Sequence, residues 1–377
     1  MIPLSLYVHI PWCIRKCPYC DFNSHQAPSE LPEAEYVKAL LDDLKQELAN
    51  LDKRPISSIF IGGGTPSLFS AQSIDALLTG INHLCDWNDD IEITLEANPG
   101  TFEQQRFNDY RTAGINRLSI GIQSYNPDHL SVLGRVHNSD EAIKAAQIAR
   151  EAGFDNFNLD LMFGLPQQTT AQALDDLHQA IDCAPTHLSW YQLTLEPNTL
   201  FHHNPPSLPD HESQWEIQQA GQTLLAEQHY DQYEVSAYAR EQKQCRHNLN
   251  YWQFGDYIGI GAGAHGKLTD ANGTIIRHQK FRQPKQYLSE AKKSSFRSSN
   301  KTLLTEDLPF EFMLNALRLK SGIKNTAYQE RTGQPLSGIK TLLGQAKTKG
   351  LLQHSEQHIV CTERGWRFLD DTLSTFL

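Results

Sequence analysis

Six times in the first 228 residues a short β-rich run gives way to a helical pattern, and this alternation leaves few folds open. The runs fall at 4–10, 56–61, 92–97, 117–122, 157–162 and 188–195. Helical spacing of apolar residues follows at 33–50, from 70, and at 102–113, 139–152, 171–183 and 212–228. Repeated strand-then-helix units imply parallel strands joined by right-handed crossovers. Six units fall short of the eight that close a full barrel. The expected fold class is therefore α/β, an open, partial (β/α)6 barrel. Ligands of such a sheet collect at the C-terminal strand ends. The polar and glycine-rich breaks lie there, at 13–20, 62–66, 96–99, 123 and 160–166.

The first of these breaks, in YVHIPWCIRKCPYCDFNS at 7–24, carries Cys13, Cys17 and Cys20. Three thiols within eight residues can converge on one small centre, because the thiolate is the strongest soft-metal ligand among side chains. A disulfide framework fits poorly, since the other four cysteines are scattered singly. A structural zinc site needs a fourth ligand, for which His9 and His25 are the nearby candidates. An iron-sulfur cluster normally takes four cysteines, so three would leave one iron open to a substrate.

The bulk of the chain narrows its partners. Of 377 residues, 44 are Asp or Glu and 33 Lys or Arg, so the net charge is 33 − 44 = −11. That balance argues against nucleic acid as the main partner. No run approaches a membrane span, and the start, MIPLSLYVHIPWC, lacks the basic region and cleavage site of a signal peptide. A cytoplasmic protein is expected; its charge and hydropathy allow transient membrane contact, and a weak homodimer through the cysteine-loop region is carried alongside without a derivation from the sequence.

Beyond the barrel units, 201–210 is a proline-rich connector, 233–239 a strand, and 291–302, rich in Lys, Ser and Asn, reads as a linker. From 308 a smaller unit begins, with a helix at 310–319 and a hairpin at 358–368, resembling a winged-helix domain. Its nine Lys/Arg against six Asp/Glu are only weakly basic, which suits packing or partner binding better than DNA reading. The expected division is a core barrel over 1–240, a motif segment and linker over 241–300, and a winged-helix-like α+β domain over 301–377.

The spacing C-x3-C-x-aromatic-C, with Tyr19 before Cys20, resembles the signature of the radical S-adenosylmethionine (SAM) superfamily. The resemblance implies that Cys13, Cys17 and Cys20 hold a 4Fe-4S cluster whose fourth iron is chelated by SAM. The linked segments YVHIPWC, GGGTPS, EITLEANP, RLSIGIQS, LGRVH and NLDLMFGLP resemble the oxygen-independent coproporphyrinogen III oxidase group. Matching positions imply that Tyr7, Gly63 and Glu96 face the cluster-bound SAM. Tyr19, Gly64, Thr65, Gln123, Arg135 and Asp160 match a second SAM. Two departures count against the oxidase reaction: Phe22 stands where the oxidase has a further cysteine, and its longer N-terminal extension has no counterpart before Cys13.

The block CRHNLNYW at 245–252 contains H-N-x2-Y-W: His247, Asn248, Tyr251 and Trp252. Imidazole ligates iron, and Tyr and Trp offer flat faces against which a porphyrin packs. A histidine held in an aromatic cluster for structural reasons is the plain alternative. The motif resembles that of the haem chaperone family HemW, which implies haem binding and delivery of haem to recipient apo-haemoproteins. Cys245 is a second candidate iron ligand. The glycine-rich run 259–266 lacks the helix and acidic residue of a dinucleotide loop and reads as a close-packed strand and turn, with His265 a further candidate contact. The two functions carried forward are a haem chaperone with cluster and SAM, and coproporphyrinogen oxidative decarboxylation.

Overall fold

In the computed structural model the described residues are 1–49, 51–100, 106–293 and 295–377. Six parallel strands lie side by side in chain order: β1 (Leu4–Ile10), β2 (Ile56–Gly63), β3 (Trp87–Ala97), β4 (Arg117–Gln123), β5 (Phe157–Phe163) and β6 (His187–Gln192). Helices at Glu33–Leu48, Ala71–Leu84, Ser139–Glu151 and Thr170–Asp182 follow successive strands. Their starts are written locally. The Ser70 hydroxyl accepts from the backbone N–H of Ser73, and Asn138 and Thr169 each open a reciprocal capping box with Glu141 and Gln172. Of the helix read at 102–113, residues 101–105 lie outside the described residues, and the described part is Phe107–Thr112.

Alternation along each strand builds two different faces. Leu6, Val8 and Ile10 of β1 face the helices and are fully buried, with Ile59 and Ile61 of β2, Leu95 of β3, and Leu118 and Ile120 of β4 in the same core. The alternate positions are largely polar: Ser5, Tyr7 and His9 on β1, Glu92, Thr94 and Glu96 on β3, Asn158 and Asp160 on β5, and Ser189 and Tyr191 on β6. A parallel sheet buried on both faces usually reads as continuous hydrophobic runs. Here the inner face is polar because it lines a cavity at the strand ends and, deeper in, packs against the polar helix Arg246–Trp252.

The sheet extends past these six strands at both edges. At the β6 edge, the strand read at 233–239 is split at Val235 and Ser236 into β7 (Asp231–Glu234) and β8 (Ala237–Ala239), both antiparallel. At the other edge β9 (Asp256–Ile260) pairs parallel with β1. It is followed by antiparallel β10 (His265–Thr269), β11 (Ile275–Lys280) and β12 (Arg297–Thr302). The stretch 297–302 is therefore a strand and not a linker. RSSNKT carries no apolar alternation because an outermost strand leaves its side chains in water. Ion pairs hold this edge: buried Lys280 reaches Asp43 and Glu47 of the first helix, and Arg297 grips Glu47 with two nitrogens.

The C-terminal part has its own core, built on Phe312, Met313, Ala316, Tyr328 and Ile359 and joined to the sheet side through Phe254 and Ile275. Its first helix spans Leu308–Ala316, and Ile323–Lys324 pairs with His358–Ile359. The expected hairpin at 358–368 is displaced. Leu352 bridges Cys361, while Glu363–Arg367 turns helical behind a Thr362 cap. Among the described residues no helix is long and apolar enough to cross a membrane.

Candidate functional site

The cysteine loop is fixed by its neighbours before any ligand arrives. Trp12 and Cys13 pair with His25 and Gln26, closing the loop at its base, and the Trp12 ring packs on Tyr36 and Phe69. The end of β2 fits into that loop through Gly64 N–H to the Ile10 carbonyl at 2.8 Å and Thr65 N–H to the Trp12 carbonyl at 2.7 Å. A Cβ on Gly64 would meet the Trp12 carbonyl oxygen at 2.6 Å, and one on Gly63, at φ +118°, would strike the His9 ring at 2.6 Å. These glycines serve first to seat the loop, a reason the sequence reading, which kept them clear for a ligand, did not give.

All three thiols are free and half-buried. The Cys20 Sγ lies 3.7 Å from the Ser24 hydroxyl, and the Arg135 guanidinium reaches Cys17 Sγ at 3.8 Å. Burial pushes the Cys13 and Cys20 thiols up. Among the described residues no three His, Cys, Asp or Glu side chains gather tightly enough to hold a single metal ion. His9 is also committed elsewhere, bonded to the Tyr7 hydroxyl at 3.0 Å and the Asn23 carbonyl at 2.9 Å.

A cavity of about 620 Å3 opens beside the loop. It brings together Cys13, Cys20, Tyr19, Gly63, Gly64, Thr65, Glu96, Gln123, Arg135 and Asp160, as well as Asn248 and Trp252 from the later motif. Cys17 lies behind this surface, against Tyr19 and Arg135. Gln123, at φ 72°, breaks the β4–β5 register, and its side-chain oxygen accepts the Tyr191 hydroxyl at 2.8 Å. Arg135 donates to Asn98 and to the Gly121 carbonyl, which leaves its buried Nε without a partner among the described residues. Glu96 accepts from Gly63 N–H at 2.9 Å. Burial, with Asp160 nearby, raises its carboxyl from 4.5 to about 7. Asp160 is also raised by burial, against the bonds it receives from Asn158, Ser189 and Ser119. Asn98, Ser119, Ser189 and Tyr191 were missed from the sequence. Period-two spacing along β4 and β6 was the available signal for the last three.

The H-N-x2-Y-W segment forms the helix Arg246–Trp252, which plugs the polar interior of the sheet. Asn250 donates to Ser5 of β1, His247 N–H to Glu92 of β3, and Cys245 Sγ lies 3.6 Å from the same carboxylate. The His247 ring is 1 % exposed, with Nδ1 on the Ser58 hydroxyl at 3.1 Å and Nε2 on the Tyr251 hydroxyl at 2.9 Å. Burial lowers it to about 3. Both ring nitrogens are engaged, and Cys245 is equally buried, so neither candidate ligand faces a cavity in this conformation. Helical periodicity divides the motif. Asn248 and Trp252, four apart, face the cysteine cavity, while His247 and Tyr251 share the other stripe.

A second cavity of similar size adjoins the first, with Tyr7, Tyr251 and Trp252 in its wall. Asp21, Phe22, Gly63, Glu96 and Trp252 border both cavities.

The chain matches the Radical SAM superfamily over residues 7–180 and the HemN C-terminal domain over residues 303–368. It is 50% identical to "Heme chaperone HemW" of Haemophilus influenzae, the match covering 100% of this chain and 98% of the relative. The chain belongs to the HemW family of the radical SAM superfamily. The corresponding HemW of Escherichia coli is 48% identical, again over 100% of this chain and 98% of the relative. A more distant relative is the mitochondrial radical S-adenosyl methionine domain-containing protein 1 of Bos taurus, 33% identical over 99% of this chain and 87% of that protein. Among solved structures, the coproporphyrinogen III oxidase HemN of Escherichia coli superposes with a TM-score of 0.83 at 23% identity, covering 100% of this chain and 90% of that one. That likeness is one of fold.

Proposed function

We propose that this protein is a haem chaperone that binds haem beside a 4Fe-4S cluster and SAM and delivers haem to apo-haemoproteins. The observation that carries the reading is a shared wall: Cys13 and Cys20, the strand-end residues Gly63 and Glu96, and Asn248 and Trp252 of the later motif all border one cavity. Relatives covering the whole chain at up to 50% identity bear the chaperone name, whereas the likeness to the oxidase is one of fold.

In this reading Cys13, Cys17 and Cys20 hold the cluster, and the donor set fits it: three thiols on a pinned loop, with Ser24 and Arg135 against the sulfurs. When bound, such a cluster supplies an electron to the sulfonium of SAM. Tyr7, Gly63 and Glu96 surround the cluster-bound SAM. Tyr19, Gly64, Thr65, Gln123, Arg135 and Asp160 surround a second, for which the unpaired Arg135 Nε offers a donor to a carboxylate. Tyr251 and Trp252 provide apolar faces for haem. His247 holds Tyr251 in place through its Nε2.

The exposed Ile14, Phe22 and Val136, which border the cysteine cavity, support a docking surface for the recipient apo-haemoprotein, or for a second copy in a homodimer. A cytoplasmic location with transient membrane contact belongs to the same reading. So does the division near 300, supported by the C-terminal core and the domain match that begins at residue 303, whereas the sheet runs on unbroken in hydrogen bonding across the expected 241–300 segment.

Anaerobic reconstitution tests it. The protein should take up iron and sulfide, bind SAM, and pass haem to an apo-haemoprotein. Formation of protoporphyrinogen from coproporphyrinogen without haem binding would overturn it.

A further inference from the structure

The helix Lys340–Thr348 turns one stripe into the C-terminal core and leaves the neighbouring one uncovered. Ile339 and Ala346 are buried, and Leu342 packs against the same core. Lys340, Leu343, Gly344 and Lys347, spaced three and four apart, line a groove of about 410 Å3 instead. We propose that this groove receives an acidic amphipathic helix of a partner protein.

The apolar part of the groove is held by the small sheet of this unit. Leu352 and Ile359, both buried, line it beside half-buried Leu336. The pairings Ile323–Ile359 and Leu352–Cys361 fix the two strand residues, and Gln353 N–H donates to the Val360 carbonyl at 2.9 Å. The groove shares no wall residue with either cavity at the cysteine loop, so the inference goes beyond the haem-chaperone reading and does not rest on it.

Two features of the helix have no use within the chain. Gly344 is the fifth of its nine residues, exposed, and an added Cβ there meets nothing within 4 Å. Glycine is the poorest helix former but proline, and neither a turn nor a close neighbour calls for one here. Its bare backbone admits a second chain at close range. Lys340 and Lys347 stand seven residues, about 10 Å, apart along the axis. Lys340 is exposed without an ion pair among the described residues, and Lys347 has only a 3.5 Å contact from its Nζ to the Ser355 carbonyl. Among the described residues no Asp or Glu lines the groove.

A helix is the occupant these features fit. Carboxylates two turns apart on it meet Lys340 and Lys347, apolar side chains between them fill the space along Leu336, Leu343 and Leu352, and its backbone passes close over Gly344. From residue 308 onward the chain carries nine Lys/Arg against six Asp/Glu, while the whole chain stands at −11, so an acidic partner is drawn to this unit and repelled by the rest. A small molecule fits less well, since every polar residue of the wall is exposed or half-buried and none is buried to orient it. An anionic lipid surface or duplex DNA uses the lysines but leaves the apolar wall empty.

The test is binding of the whole protein, by fluorescence anisotropy, to a library of labelled, stapled helical peptides. Two glutamates are fixed seven positions apart, and the residues three and four after the first are varied among Ala, Leu, Ile, Met and Phe; a matched library carries lysines in place of the glutamates. Members of the glutamate library should bind saturably and those of the lysine library should not. Lys340→Glu with Lys347→Glu should weaken the best glutamate peptide by about 10-fold or more and gain affinity for its lysine counterpart, with circular dichroism and iron and sulfide uptake unchanged. Gly344→Ala should raise the melting temperature yet weaken the peptide several-fold, a split that a glycine without a partner does not produce. No binding in either library, equal binding in both, a charge-reversed variant that still holds the glutamate peptide, or Gly344→Ala binding at full strength overturns the proposal. So does tighter binding to phosphatidylserine vesicles or to duplex DNA that the same charge reversal abolishes, which gives the two lysines to that class of partner.

Discussion

The two walls of the site are built by opposite rules. On the β1–β6 side the motif residues sit at strand ends, and nearly every one of them faces open space: Gly63, Glu96, Gln123, Arg135 and Asp160 border a cavity. On the other side the motif lies on a helix packed into the sheet's interior, and its most chemically suggestive member, His247, is sealed between Ser58 and Tyr251. A strand end is a place where the chain leaves the core, so a polar residue there is presented by default. A helix has a buried and an open stripe, and the residue type alone does not say which stripe carries the chemistry.

The sharpest way to break this contrast is at the cysteines. Replacing Cys13, Cys17 or Cys20 with Ala should abolish iron and sulfide uptake on anaerobic reconstitution while leaving the circular dichroism spectrum in place, because the loop is held by backbone bonds and by Trp12. A variant that still binds a full complement of iron and sulfide would remove the first wall's central claim.

Glu96 gives the next largest effect. Its carboxyl titrates near 4.5 when unfolded and at about 7 in the folded chain, so between these values the folded state keeps a proton that the unfolded state has released. Stability of the ligand-free protein is then highest below pH 4.5, falls as pH rises towards 7, and is level above it, by at most about 3 kcal/mol in all. Denaturant melts across this window should lose that component in Glu96→Gln. An unchanged slope would mean the carboxyl is solvated.

His247→Ala should destabilise by about 1–3 kcal/mol, since it opens a void and leaves the buried Ser58 and Tyr251 hydroxyls unpaired. His265→Ala, on the exposed side, should change stability by less than about 0.5 kcal/mol. Thermal melts of the pair compare the two histidines directly, and equal losses would erase the distinction between plug and open wall.

Much of the barrel was legible because its signals are local. Period-two runs, capping boxes at Asn138 and Thr169, and glycine at 62–64 each depend on a few neighbouring residues. The strand at 297–302 was read as a linker because what holds it is remote: Arg297 on Glu47 and, one strand further in, Lys280 on Asp43, more than 200 positions away in the chain. The hairpin near the C-terminus shifted for a similar reason, its register being set by Leu352 against Cys361 and by Ile323 against Ile359.

Read alone, the sequence determined the class of fold, the trio of cysteines on the first loop, and the polar side chains at successive strand ends, since each follows from spacing within a single segment. Tertiary structure alone decided that the glycines seat the cysteine loop, that His247 belongs to a plug, and that His265 and Arg282 share a cavity with Tyr251. Those outcomes depend on which side chains, distant along the chain, compete for the same volume and the same hydrogen-bond partners, and no local pattern encodes the winner.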